Sequence, residues 1–294
     1  MINTKYRWFL AGLGFSIFWA SASTATKIGL QVAQPMIIAT SRFAIAALFM
    51  LFVSHILQKS RLPKGKEWLQ IAVYGTLNIS VYLGVYIVAM QEVTAGIGAL
   101  AVAINPVLIS FFSVFFLNRK LTLSIICALI VCTIGVFCAA WPLFSGAEVT
   151  ALGLFLLFAS MFSYALAAIY FSAKKWGDLS LLTINGWQTA IGGALLLPFA
   201  FWFYKDTVNQ FDLTFWSSVL WLAIPVSIVA VQLWLWLLKT NAVRAGLWLF
   251  LCPLFGFIIA ALLANEAIGW FTAVGLGLVL MGLLISKKSN PKEE

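Results

Sequence analysis

The feature that most limits how this chain can fold is a succession of long apolar segments joined by short connections. About ten segments reach the roughly 20 residues that a helix needs to cross the hydrocarbon core of a bilayer. Only 9% of the residues are charged, whereas soluble domains carry about 25%. So little charge cannot cover a surface that faces water, and the chain is predicted to be an integral membrane protein. The segments are predicted at 8–26, 35–57, 68–90, 94–117, 121–141, 150–173, 180–203, 214–238, 242–264 and 268–286.

The length of these segments also predicts their secondary structure. Backbone N–H and C=O groups in lipid must bond within the protein, so a spanning segment is either a helix or part of a closed barrel. Segments of this length favour the helix. The predicted fold class is therefore all-α integral membrane, with ten transmembrane helices and connections too short to hold a soluble domain.

The positions of lysine and arginine predict the orientation. If the N-terminus is cytoplasmic, 15 of the 18 Lys and Arg residues lie at inner segment ends, Lys27 and Lys205 lie at outer ends, and Arg42 lies within a segment. This bias follows the positive-inside rule. The protein is predicted to lie in the inner (plasma) membrane with both termini in the cytoplasm. The net charge of +9 then reflects membrane orientation rather than nucleic-acid binding, because the cations do not follow one face.

The two halves of the chain resemble each other when the sequence is compared with itself at an offset of 147 residues. Pro106 meets Pro253 at this offset, and Ala95 meets Ala242. Near the start of each half the offset drifts by one or two residues, so that Arg42 meets Gln188. Two copies of a unit of five helices account for these matches.

The charges between the segments indicate how the two copies are related. Five crossings are an odd number, so the second copy would enter the membrane from the opposite side, and equivalent connections should carry opposite charge. Arg119 meets Glu266, and Glu92 meets Lys239. The sign change predicts two inverted five-helix repeats that together form a single unit. Their predicted bounds are 1–145 and 146–294.

Several stretches in both halves together resemble a known family. They are FWASASTATKIGL, SRFAIAALFML, TAGIGALAVAINPVLISFFSVFFLNRKLT, WQTAIGGALLLPF and CPLFGFIIAALLANEAIG. In their order and duplication they resemble the EamA family of the drug/metabolite transporter superfamily. The resemblance implies ten helices, cytoplasmic termini, a central cavity between the halves, and export of amino acids or related metabolites. This chain has Asn118-Arg119 where family members often have Gly-Glu after the fourth helix, while Asn265-Glu266 keeps the acid.

Polar and aromatic side chains deep in the apolar segments are the candidates for contact with a substrate. Arg42 either faces a cavity or gate, or extends toward the interface and anchors its helix. The amides fit a hydrated cavity and interhelical hydrogen bonds equally well, and the aromatic rings fit a cavity lining, packing or an interfacial belt. The candidate substrate-binding residues are Trp19, Ser23, Arg42, Tyr82, Tyr86, Asn105, Tyr164, Gln188, Gln232, Trp236 and Trp248.

Pro106 and Pro253 are predicted to bend the fourth helix of each copy. Such bends would frame a cavity near the middle of the membrane and free backbone carbonyls for a ligand or water. Packing of a kinked helix is the alternative.

No metal, cofactor or catalytic site is predicted. The four cysteines lack metal-ligand spacing and fit small apolar packing residues, and there is no phosphate loop, HExxH motif or catalytic triad. An integral-membrane enzyme that acts on lipid is one alternative, but a chain with one histidine has few groups for that chemistry. A scaffold that transports nothing is another alternative.

The predicted function is therefore alternating-access transport of a small metabolite in the lipid bilayer. Aromatic rings with a few amides suit a neutral or zwitterionic compound such as an amino acid better than a phosphorylated one. No Asp or Glu lies near a segment centre, which favours facilitated or exchange transport over a proton relay.

Overall fold

The structure, a computed structural model, describes residues 4–141, 150–264 and 270–287. These residues form helices and connections and contain no strand. The helices in chain order are α1 Thr4–Leu30, α2 Pro35–Leu57, α3 Lys66–Ala89, α4 Ala95–Phe116, α5 Leu123–Ala140, α6 Ala151–Ala173, α7 Leu181–Ala194, α8 Leu197–Trp202, α9 Leu213–Thr240, α10 242–264 and α11 Trp270–Lys287.

Six of these helices, α1, α2, α3, α4, α6 and α9, are long and apolar enough to cross a membrane, with mean hydropathy between 1.2 and 2.2. Shorter apolar helices lie within α5, α10 and α11. Many large apolar side chains point outward, such as Leu48, Phe155 and Leu284, which are 64–71% exposed. An apolar exterior of this extent fits a lipid environment. The predicted segment 180–203 differs in detail, because the helix is interrupted at Leu195 and Leu196 and resumes as α8.

Most helices begin at a residue that caps their free backbone N–H groups. A side-chain oxygen at the cap accepts a hydrogen bond from the N–H three residues later, which satisfies a donor that has no partner inside the helix. Pro35 occupies the first turn of α2, where its missing N–H costs nothing. The capping residues are Thr94, Thr122, Thr150, Ser180, Asp212 and Asn241.

Irregular turns recur at equivalent places in the two halves. A π-helical turn occupies Thr76–Leu83 in α3, and another occupies Leu222–Ala230 in α9. A 3₁₀ turn interrupts α4 at Val102–Ile104 and α10 at Trp248–Phe250. Pro106 and Pro253 closely follow these two 3₁₀ turns. The places where the sequence predicts bends are therefore places where the helical hydrogen-bonding pattern changes.

Several helix pairs join the first half of the chain to the second. The most extensive pair is α5 with α11, and others include α1 with α9, α3 with α6 and α2 with α7. Glycines permit the close approach in the first pair: a Cβ on Gly135 would lie 2.8 Å from the Gly275 carbonyl oxygen, and one on Gly282 would lie 3.0 Å from that of Ala128.

Candidate functional site

A small cavity lies among α1, α2, α3, α4, α9 and α10. Its free volume of about 20 Å³ has room for about one water molecule. It is displaced toward the C-terminal ends of α1 and α3 and the N-terminal end of α4, which adjoin one another. The lining residues are Trp19, Ala20, Ala22, Ser23, Thr26, Arg42, Tyr82, Leu83, Tyr86, Ala99, Val102, Val226 and Cys252.

Arg42 supplies the charge of this cavity. The residue is only 5% exposed, and its Nε donates a hydrogen bond to the Ser227 hydroxyl at 2.7 Å. One guanidinium nitrogen, Nη2, has no hydrogen-bond partner, and no carboxylate of the described residues forms an ion pair with Arg42. A buried cation is costly without a counter-charge. Arg42 lines the cavity, and its bond to Ser227 connects α2 to α9.

Five aromatic side chains close the side of the cavity toward the N-terminal end of α1. We call them the aromatic cluster. Tyr164 lies at its centre, with ring centroids 4.6 Å from Tyr82, 5.7 Å from Trp234 and 6.0 Å from Trp19. Phe15 stacks on Trp234 at 4.9 Å. The cluster joins α1 and α3 of the first half to α6 and α9 of the second.

A chain of buried amides stands behind Arg42. The Asn78 amide donates to Gln188 Oε1 at 3.1 Å, and the Gln188 amide donates to Asn185 Oδ1 at 3.0 Å. The Asn185 amide in turn donates to the Ser227 carbonyl at 3.0 Å. The network therefore links α3, α7 and α9 and ends at the residue that accepts from Arg42. It can hold Ser227, and through it the guanidinium, in one position.

The structure brings some of the predicted site residues together and separates others. Trp19, Ser23, Arg42, Tyr82 and Tyr86 line the cavity. Two further candidates lie next to it, Tyr164 in the aromatic cluster and Gln188 in the amide network.

The other four candidates neither line the cavity nor belong to the aromatic cluster or the amide network. Asn105 is fully buried and donates to the Met161 sulfur at 3.0 Å. Trp248 packs against Trp8 and Phe9, near the start of α1. The other two, Gln232 and Trp236, are half-buried on α9 away from the cavity lining.

Sequence reasoning missed Trp234, which connects Phe15 to Tyr164 in the aromatic cluster. Trp234 and Trp236 are two positions apart on α9, so they point to nearly opposite sides of the helix. The fully buried member is Trp234. Trp234 lies about one helical turn after Ala230 and Val231, which are both buried. This spacing places Trp234 on the buried face of α9.

Hydrogen bonds tie the two halves together at both ends of α2. After α2, Arg61 binds Glu67 at 2.7 Å and also binds Asp178, and this arrangement is the Arg61 clasp. The hydrogen bond from Arg61 lowers the pKa of Asp178 to about 2. Before α2, Gln34 Oε1 accepts from Asn209 Nδ2 at 2.9 Å, and this contact is the Gln34 clasp. Both clasps connect the first half to the segments that flank α7 and α8.

No group of three or more His, Cys, Asp or Glu residues in the described ranges could hold a metal ion. Cys127, Cys132, Cys138 and Cys252 are all free thiols.

An all-helical membrane protein whose two halves enclose a largely apolar cavity at a buried cation has the architecture of a small-molecule transporter. The chain belongs to the EamA-like transporter family, whose sequence model matches residues 6–141 and again residues 151–287. The predicted family is thereby confirmed, and the two matches confirm a repeat of the family unit.

Relatives are similar over nearly the whole chain. An uncharacterized transporter of Archaeoglobus fulgidus is 26% identical, with 95% of this chain and 98% of that protein covered. Protein PecM of Dickeya dadantii is also 26% identical, with 91% and 88% covered. A solved crystal structure that is 16% identical superposes with a TM-score of 0.77 and covers 95% of this chain and 96% of that one. The family match and these relatives indicate a multi-pass membrane transporter. The relatives come from bacteria and archaea, which indicates the plasma membrane.

Proposed function

We propose that the protein exports amino acids or closely related zwitterionic metabolites by alternating access. The observation that carries this proposal is the unpaired guanidinium nitrogen of Arg42 in a cavity bordered by aromatic rings. A carboxylate would satisfy that donor and compensate the buried charge. The rings of Trp19, Tyr82 and Tyr86 supply apolar area and attract an ammonium group. A multiply charged phosphate fits this cavity less well, because Arg42 is the one cation among the described residues that line it.

The proposal includes ten membrane-spanning helices in two inverted repeats, residues 1–145 and 146–294. The recurrence of π-helical and 3₁₀ turns at equivalent places supports a common architecture for the two copies. Contacts between equivalent positions support a two-fold relation: Cys132 Sγ lies 3.5 Å from the carbonyl oxygen of Val279, which is 147 residues later. An odd number of helices in each copy then requires inversion.

The same topology gives the cavity a direction. With the N-terminus in the cytoplasm, the C-terminal ends of α1 and α3 are external, so the cavity lies in the outer half of the membrane and the aromatic cluster lies on its inner side. A free volume of about 20 Å³ is too small for an amino acid, so binding requires the halves to move apart. The Arg61 clasp and the Gln34 clasp lie at opposite ends of α2. In the proposed motion, the contacts of one clasp would break while those of the other remain.

Labelling experiments test the topology. We expect single cysteines in the loops around Lys64, Arg119 and Lys174 to react with impermeant reagents only from the cytoplasmic side. Cysteines near Glu148 and Asp206 should react only from outside, because the positive-inside bias places the Lys- and Arg-rich loops in the cytoplasm. Labelling of the Arg119 and Glu266 positions from the same side would contradict the inverted repeat.

Uptake into proteoliposomes tests the substrate class. Purified protein should accumulate radiolabelled neutral amino acids several-fold above protein-free liposomes, and an excess of unlabelled amino acid inside should accelerate entry if the carrier works by exchange. Phosphorylated metabolites should show no uptake above the control. Transport of the phosphorylated compounds alone would overturn the proposed substrate class, whereas absence of any transport would favour a scaffold.

A further inference from the structure

A second, larger recess lies far from the cavity, where the C-terminal ends of α4, α6 and α9 meet the start of α10. We call it the basic crevice. Its free volume is about 240 Å³, and its charged lining residues are Arg119 and Lys239. Neither cation forms an ion pair with the described residues, and no described Asp or Glu lines the crevice. Its polar lining is completed by Asn118, Ser172, Thr240 and Asn241.

Unpartnered polar atoms lie between the cavity and the basic crevice. Helix α4 borders the cavity at Ala99 and Val102 and ends directly before Leu117, which lines the crevice. Between these points, Asn105 and Ser110 are 0% and 1% exposed, and Asn105 Oδ1 and Ser110 Oγ have no hydrogen-bond partner. Buried polar atoms are normally paired. Two unpaired ones on the same helix fit a route on which water or a solute supplies the missing bonds when the halves separate.

We propose that the basic crevice is the cytoplasmic mouth of the transport path, and that Arg119 and Lys239 form a loading site for the carboxylate of the substrate. This proposal rests on the proposed function and on its topology. Two cations at the rim of a recess raise the local concentration of anionic groups and steer them inward. The cavity and the crevice are then the outer and inner parts of one path, and the aromatic cluster separates them in this conformation.

The equivalent positions in the other copy carry the opposite charge. At the offset of 147 residues, Lys239 corresponds to Glu92 and Arg119 corresponds to Glu266, which lies outside the described residues. Glu92 is exposed and accepts a hydrogen bond from Thr150 Oγ1 at 3.0 Å. The carboxylate of the substrate is therefore attracted at the inner mouth, whereas the equivalent positions of the other copy offer it no cation. Fixed charges supply no energy for net transport, but in this proposal Arg119 and Lys239 lower the apparent KM on the cytoplasmic side.

Charge alone does not distinguish this role from the positive-inside bias, which also places cations at cytoplasmic helix ends. Lys120 separates the two explanations. It is exposed, adjacent to Arg119 in the chain and absent from the crevice lining. A matched change at Lys120 alters the cytoplasmic charge by the same amount without changing the crevice lining.

The first measurement reads the charge of the crevice directly. Thr240→Cys is made in a chain with Cys127→Ser and Cys138→Ser, in which the buried Cys132 and Cys252 remain. Inside-out vesicles are treated with methanethiosulfonate reagents that carry either a sulfonate or a quaternary ammonium group. Relative to the rate of each reagent with a small free thiol, we expect the sulfonate reagent to react about threefold faster or more, because two cations lie nearby. Arg119→Gln with Lys239→Gln should abolish this preference, and Lys120→Gln should leave most of it.

The second measurement tests the link to transport. Arg119→Gln with Lys239→Gln should raise the KM for amino acid entering from the cytoplasmic side about threefold to tenfold with little change in maximal rate, and should weaken its dependence on salt. Lys120→Gln should retain the KM, and modification of Thr240→Cys should block transport. An equal effect of Lys120→Gln, or full transport after modification, would overturn the loading site while amino-acid transport by the unmodified protein still stood. Absence of transport by that protein would instead contradict the proposed function.

Discussion

Replacing Arg42 with glutamine is expected to lower amino-acid transport by about 10-fold to 100-fold without loss of thermal stability. A hydrogen bond between a guanidinium and a carboxylate contributes about 1.5–3 kcal/mol, which corresponds to about 10–150-fold in affinity. In the substrate-free protein the same guanidinium is buried and lacks a counter-charge. Its removal should therefore leave the melting temperature unchanged or raise it. The measurement pairs proteoliposome uptake with thermal unfolding in detergent.

Three variants make this result specific to the cavity. Arg42→Lys keeps the charge but loses the planar fork, so it should recover only part of the activity. Ser227→Ala removes the acceptor of the 2.7 Å bond, frees the guanidinium to reorient, and should raise KM more than it lowers the maximal rate. Arg7→Gln makes the same chemical change at an exposed position of α1 and should transport normally. Normal transport by Arg42→Gln would return Arg42 to the role of a helix anchor.

Glutamine is a suitable replacement because the chain already uses it in an equivalent place. Arg42 corresponds to Gln188 in the second copy, where the amide is fully buried and bonded to Asn78 and Asn185. One copy thus carries a neutral, satisfied amide and the other a cation with a free donor. We infer that the repeated architecture positions the helices around the cavity, and that the replacement of a neutral amide by a cation in one copy creates the proposed binding site.

The apolar segments were predictable because lipid imposes one simple requirement along the chain. A spanning helix needs enough consecutive apolar residues, and caps and prolines mark where it begins. The prediction for 35–57 coincides with α2, and that for 94–117 differs from α4 by one residue at each end. The interruption between α7 and α8 was missed, because the apolar pattern continues through Leu195 and Leu196.

Which residues line the cavity was less predictable. The lining depends on the rotation of each helix about its axis and on the depth of each residue in the membrane. Trp19 and Trp248 are both buried tryptophans, yet only the first lines the cavity. Hydropathy does not distinguish them, since every face of a buried helix is apolar. The contacts of Gln188 were equally unpredictable. A buried amide that faces a cavity and one that bonds to another helix both appear in the sequence as a glutamine within an apolar segment.

The second large effect concerns the packing of α3 against α7, and we expect Gly192→Val to destabilise the folded protein strongly. A Cβ at position 192 would lie 2.5 Å from the Gly75 carbonyl oxygen and 2.5 Å from Ile79 Cβ. Neither neighbour is the flexible end of a side chain, so the helices must separate. Overpacking costs about 1–3 kcal/mol, and for a chain of this size each kcal/mol shifts Tm by about 2–4 °C. A fall in Tm of several degrees should be seen in detergent.

The separation should also reach the binding site, since the Asn78–Gln188 bond and the 2.8 Å bond from Ser80 Oγ to the Gly192 carbonyl cross the same interface. We therefore expect transport per folded molecule to fall together with Tm. Gly277→Val is the matched control, because a Cβ at that exposed glycine of α11 would meet no atom within 4 Å. Equal loss of stability in both variants would mean that the cost comes from valine in a helix, and that close approach of α3 to α7 does not limit stability.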